Sequence, residues 1–173
     1  MPDYLTLPLF KEGLHFDDSA ALTDEVMTGF LDAAEAYIGD PENGILRRPV
    51  SVTAFSEEFD SLSDVQIRFP DGATITSVTY TDPDDQEQTL GAIYRLSDGC
   101  LKLLPGEEWP RNKAPVTVNY TAGFDPVPEP IKKAAYFYAG TLYEAQLNAQ
   151  LMDPELLRQL MSAMLAGYRR PTI

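Results

Sequence analysis

Apolar residues recur at helical spacing through Leu22, Val26, Phe30, Ala33, Ala34, Tyr37 and Ile38, a stripe that predicts a helix from about Ser19 or Thr23 to Ile38. Asp24 and Glu25 stand near its start, where the helix dipole favours negative charge, and Gly39-Asp40-Pro41 ends it. Ahead of it, residues 1–16 carry scattered anchors (Tyr4, Leu5, Leu7, Leu9, Phe10) and read as an irregular arm. After it the period changes to two. Val50, Val52 and Ala54 open a strand, and Val65-Gln66-Ile67-Arg68-Phe69 alternates cleanly. Pro70-Asp71-Gly72 is a turn, and Thr76, Val78 and Tyr80 face inward on the next strand. Asp82-Pro83-Asp84-Asp85 is a hairpin loop, and Ile93-Tyr94-Arg95-Leu96 pairs with Leu101-Lys102-Leu103-Leu104 across Ser97-Asp98-Gly99. With residues 116–121 as the last strand, six or seven short strands make a compact antiparallel sheet or small sandwich.

The helical period then returns. Ile131, Ala134, Ala135, Tyr138 and Leu142 predict a helix from about Glu129 to Leu151. A second opens with Asp153 as N-cap and Pro154 at the first helical position. It carries Leu156, Leu157, Leu160, Met161, Met164 and Leu165 and stops at Gly167. The fold class is therefore α+β: a small bundle of one N-terminal and two C-terminal helices with an inserted antiparallel β domain. The expected divisions are an arm (1–16), the first helix (17–48), the β insertion (49–123), the C-terminal helices (124–167) and a tail (168–173).

Between strand and helix lies a stiff corner. Gly123 permits a backbone conformation that other residues resist, Phe124 comes next, and Pro126 and Pro128 fix φ until the helix begins. Gly123, Phe124 and Pro128 read as a structural joint. The aromatics Tyr136, Phe137, Tyr138 and Tyr143 surround the next helix rather than forming one stripe. Two readings stay open for them: core alone, or core plus a subunit contact through Tyr136, Phe137 and Tyr143.

Charge narrows the functions. The chain of 173 residues carries a formal −14, which argues against direct binding of nucleic-acid phosphates. Residues 1–64 hold 14 acids and 3 bases, and the eight acids from Asp17 to Glu42 face no base in that interval. A solvated helix face explains such a run in an acidic protein. Cys100 is alone, so no intramolecular disulfide forms, and a reducing compartment fits. The N-terminus lacks a basic region before its brief apolar run and does not read as a signal peptide; no stretch has the length of a membrane span.

Catalysis is poorly served. His15 is the sole histidine and has no local partner motif, and one Cys with one His cannot build a normal zinc site. The acid groups Glu57-Glu58-Asp60 and Asp82-Asp84-Asp85 lack the glycine and terminal glutamate of a calcium loop. The residues point to no catalytic centre, metal or cofactor.

Several ordered segments carry a resemblance. They are the first helix with Asp32-Ala33-Ala34-Glu35-Ala36-Tyr37-Ile38, and Ser77-Val78-Thr79-Tyr80-Thr81-Asp82 followed by Glu87-Gln88-Thr89-Leu90. Trp109-Pro110, then Val116-Thr117-Val118-Asn119-Tyr120-Thr121-Ala122-Gly123-Phe124, Pro128, Ile131-Lys132-Lys133-Ala134 and Leu142-Tyr143-Glu144 complete the set. In this order they resemble the head–tail connector (adaptor) proteins of tailed bacteriophages and gene transfer agents, in the branch with a β insertion. Ala145 and Gln146 stand where an arginine of that pattern is expected.

The resemblance implies a non-enzymatic virion protein of the neck, made in the bacterial host cytoplasm. It implies a ring, dodecameric in the particle, between the portal protein and a tail-side neck or stopper protein, enclosing the DNA exit channel. In such a ring Asp17, Asp18, Asp24, Glu25, Asp32 and Glu35 are candidates to line the channel, where carboxylates would repel phosphates and keep DNA mobile. Tyr168, Arg169, Arg170 and Ile173 are candidates to dock on the portal. The alternatives are another neck or tail-completion protein and, from a different class, a small carboxylate-dependent hydrolase.

Overall fold

A computed structural model describes residues 4–14, 23–148 and 153–169. His15, Asp17, Asp18, Arg170 and Ile173 lie outside the described residues. The chain divides into two compact units: Met1–Ser51 with Phe124–Ile173, and Val52–Gly123. The first is helical and the second is β, so the fold is α+β with a helical part interrupted by an antiparallel insertion.

The helical unit holds four helices among the described residues. They are α1 (Leu7–Gly13), α2 (Asp24–Gly39), α3 (Glu129–Asn148) and α4 (Pro154–Met164). The arm expected to be irregular contains α1: Pro8 sits in its first turn, where a missing N–H costs nothing, and Phe10 is buried. Thr23 caps α2 by accepting from the Val26 N–H, and Asp40 ends it. Asp40 Oδ1 then accepts from the N–H groups of Asn43 and Glu42, which hold its carboxyl pKa below the ordinary value.

The buried residues of α2 are Met27, Leu31, Ala34 and Ile38: Ala34 and Ile38 belong to the expected stripe, while Met27 and Leu31 replace Val26 and Phe30. Val26 and Ala33 are exposed, and Phe30 and Tyr37 are half-buried. Either set has helical period, and packing selected the one that meets Ile131, Ala134, Ala135 and Ala139 of α3. The alanines of α3 let the two backbones approach, and truncating Leu31 or Ile38 to alanine here costs about 2–5 kcal/mol. Tyr37 completes the pair differently, stacking on Tyr138 with ring centroids 4.2 Å apart.

The β unit has a four-stranded antiparallel sheet in the order β1 (Thr53–Phe59), β6 (Lys113–Ala122), β2 (Thr74–Thr81), β3 (Glu87–Thr89). A separate hairpin joins β4 (Tyr94–Ser97) to β5 (Cys100–Leu103) through Asp98 and Gly99, both at positive φ. On β1 the inward positions are Thr53, Phe55, Glu57 and Phe59, while Ala54, and Val52 just before the strand, are exposed. Thr76 is exposed as well. A register shift between Ile75 and Ser77 makes a bulge, so Ile75 and Val78, of opposite parity, both reach the core.

Residues 65–69 alternate as expected, with Val65, Ile67 and Phe69 buried, yet they form no ladder strand. One bridge, Gln66 to Cys100, ties them to β5. A side-chain network holds them instead. Glu57 accepts the Arg68 N–H and also the Tyr120 hydroxyl at 2.5 Å, while that hydroxyl accepts from the Phe69 N–H. Burial, and next the bond to Glu57, push the Tyr120 phenol pKa above its ordinary value.

Candidate assembly surfaces

Three surfaces of the helical unit, and the corner where the chain enters it from the β unit, hold the residues singled out by sequence. The first surface is the acidic side of α2. Asp24 forms an ion pair with Lys11 at 2.6 Å, and Glu35 accepts the Leu5 N–H at 3.2 Å. Both carboxylates therefore anchor the segment around α1. Glu25 and Asp32 lie seven residues apart, two turns on one face, and are exposed. Of the four described candidates, Asp24, Glu25 and Asp32 are exposed, Asp24 within its ion pair, and Glu35 is half-buried.

The second is an apolar cleft between α1 and α3, with a volume of about 620 Å³. Its walls are Leu9, Phe10, Gly13 and Leu14 from α1 and its cap, and Tyr136, Phe137, Gly140, Thr141 and Glu144 from α3. Gly140 opens the floor, since a Cβ there would meet only the Leu14 side chain at 3.7 Å. Leu9 is 57% exposed and Phe137 40%. Tyr136 is half-buried; its hydroxyl accepts the Thr6 N–H at 2.8 Å, and its ring stacks on Phe10. Tyr143 departs from expectation: it is 8% exposed and belongs to the core, because α3 is packed on the side where 139 and 143 project. It is removed from the contact candidates.

The third is the outer row of α4. Asp153 caps this helix by accepting the Glu155 N–H, with Pro154 at its first position, as the sequence indicates. Met161 and Leu165 are fully buried and Leu157 partly, but Leu156, Leu160 and Met164 are 50%, 40% and 42% exposed. The helix carries more apolar width than its core uses. Beyond it, Tyr168 is no free tail residue: it packs on the core with its ring edge-on to Phe124 at 6.1 Å. Arg169 is exposed.

At the corner, Gly123 has φ 132°, a region that side chains other than hydrogen rarely tolerate. Phe124 donates its N–H to the Val50 carbonyl at 2.8 Å and receives the Arg48 guanidinium over its ring at 4.6 Å. The Asp125–Pro126 peptide is cis, and the Pro128 carbonyl accepts from Ile131 and Lys132 to start α3.

Sequence reasoning misses the cleft, because Leu9 and Phe10 read as anchors of an irregular arm. It misses the outer row of α4 as a surface because all six apolar residues pass for one stripe. An apolar sector too wide for a single core is the available signal. Among the described residues, no group of three or more His, Cys, Asp or Glu side chains is placed to hold a metal ion, and no helix is long and apolar enough to cross a membrane.

Comparison with solved structures places the fold. A chain from "Neck of native GTA particle computed with C12 symmetry" is similar over 96% of this chain and 90% of its own, with a TM-score of 0.60 and 18% sequence identity. That similarity spans the helical unit and the β insertion alike. At this identity it bears on fold alone. No protein-family profile and no curated protein sequence matches the chain.

Proposed function

We propose that this chain is an adaptor subunit of the neck of a phage-type or gene transfer agent particle, with a structural rather than a catalytic role. The observation that carries the reading is the similarity, over nearly the whole chain, to a chain from a C12-symmetric neck. The ordered sequence pattern ending in Ala122-Gly123-Phe124, Pro128 and Ile131-Lys132-Lys133 supports it independently. Copies form a ring between portal and tail-side neck protein, and DNA passes through without specific binding. Glu25 and Asp32, with Asp24 in its ion pair to Lys11, are the exposed described candidates that suit a lumen lining, where they would repel phosphate and keep the duplex from adhering. Tyr136 and Phe137 suit a subunit contact, and the segment from Arg169 onward suits docking on the portal.

The test is genetic. Deleting the gene from its particle-producing host should leave DNA-filled heads without attached tails, restored by the gene in trans. Normal tailed particles from the deletion strain would remove the proposal.

A further inference from the structure

We infer that α1 and the residues just before it form a strap that opens as one unit while the rest of the helical unit stays folded, baring the α3 face that carries Tyr136 and Phe137. The strap itself rests on its own contacts. Its use, as a gate on a subunit contact through those two residues, rests on the reading above.

The polar ties of the segment run through side chains. Glu35 of α2 accepts the Leu5 N–H at 3.2 Å. The Tyr136 hydroxyl accepts the Thr6 N–H at 2.8 Å and donates to the Thr6 carbonyl at 3.4 Å. Lys11 pairs with Asp24 at 2.6 Å. Among the described residues, the backbone bonds of the segment stay inside it: Phe10 donates its N–H to the Thr6 carbonyl, and Leu14 to the Phe10 carbonyl. Opening therefore breaks no ladder of α2 or α3.

Packing holds the strap lightly. Leu5 and Phe10 are its buried side chains, Phe10 stacked on Tyr136 with ring centroids 6.4 Å apart, whereas α2 buries Met27, Leu31, Ala34 and Ile38. The cleft of about 620 Å³ keeps part of α1 out of contact with α3, and atoms facing a gap forfeit dispersion attraction. The Tyr4 hydroxyl is buried with no hydrogen-bond partner among the described residues, a cost that opening relieves.

α1 has 7 residues, well short of the roughly 12–15 at which even a good isolated helix is marginal, so it melts once the ties let go. The tied amides and the helical amides then share one opening, separate from global unfolding.

Residue-resolved amide hydrogen exchange on the full chain, beside Tyr136→Phe and Gly140→Ala, tests this. In the parent, Leu5, Thr6, Phe10 and Leu14 should share one protection, at least about 30-fold below that of Leu31 and Ile38 in α2. Tyr136→Phe keeps the ring on Phe10 and removes only the hydroxyl. Protection of all four amides should then fall together by about 2- to 10-fold, the scale of one hydrogen bond, while Leu31 and Ile38 hold theirs. Gly140→Ala adds a methyl 3.7 Å from the Leu14 side chain, an ordinary contact, and should raise all four together. A parent strap as protected as α2, a Tyr136→Phe response confined to Thr6, or four amides that neither variant moves overturns the strap. Each of these outcomes leaves the adaptor reading standing, because the exchange is read on the free chain.

Discussion

Tyr168 stands edge-on to Phe124, ring centroids 6.1 Å apart and planes at 83°, so a residue just beyond α4 is tied to the neighbour of Gly123. The end of the chain is therefore divided: Tyr168 serves the fold, and the proposed docking segment begins at Arg169. Tyr168→Ala should lower stability by at least the 0.5–1.5 kcal/mol that such aromatic pairs contribute beyond their buried area, roughly, read as a shift in denaturation midpoint. Deleting residues 169–173 should leave that midpoint in place while abolishing binding to portal rings. Equal midpoints for Tyr168→Ala and the parent would contradict the division.

Gly123 at φ 132° makes a second prediction. Gly123→Val should cost about 1–3 kcal/mol, since a β-branched side chain must either strain the backbone or move it. Chemical denaturation of the two proteins decides the matter. Coincident curves would show that the corner accepts another conformation.

The third concerns pH. Asp82 organises the β2–β3 turn, its Oδ1 accepting the Gln86 and Asp84 N–H groups and its Oδ2 the Gln88 side chain. The Gln86 bond first, then the Gln88 bond, hold its carboxyl pKa below the ordinary value. A depressed folded pKa means the stabilisation is fully present above the unfolded value, about 3.9. It is lost as pH falls through the lower folded value. Asp82→Asn should therefore be less stable than the parent near neutrality, and the difference should shrink in acid. A difference that stays constant or grows on acidification would assign the turn's stability to something other than this carboxylate.

Much of this fold is legible in the sequence because local chemistry and packing agree. Thr23 before α2, Asp153-Pro154 before α4 and Asp98-Gly99 between β4 and β5 each mark a boundary with one residue type that the backbone needs there. The failures share a different cause. On α2 Ala34 and Ile38 are buried as expected, but two apolar rows of equal period compete at its start, and the choice of Met27 and Leu31 over Val26 and Phe30 depends on where α3 lies. In β1, Glu57 and Glu58 read only as part of an acid group, yet Glu57 points inward to meet Tyr120 and Arg68. Residues 65–69 alternate because one side is covered, which a strand shares with any extended segment held by side chains. Of the assembly surfaces, the acidity of α2 is plain, but only coordinates separate Asp24 and Glu35, engaged with Lys11 and Leu5, from exposed Glu25 and Asp32 on their shared face.

That separation is itself testable. Glu25→Lys with Asp32→Lys should cost no more than about 1 kcal/mol, the scale of a helix-dipole effect at an exposed first turn. Assembly should be intact, while DNA ejection from particles carrying the variant should slow. Ejection at the parent rate, with the altered protein present in the particles, would place this face away from the channel.

The most direct measurement of the adaptor reading is electron microscopy of purified portal rings, encoded in the same genome, mixed with this protein. The account predicts a second ring with the symmetry of the portal added to one end, its subunit showing the helical unit and the β insertion described here. Portal rings that stay bare at saturating protein would contradict it.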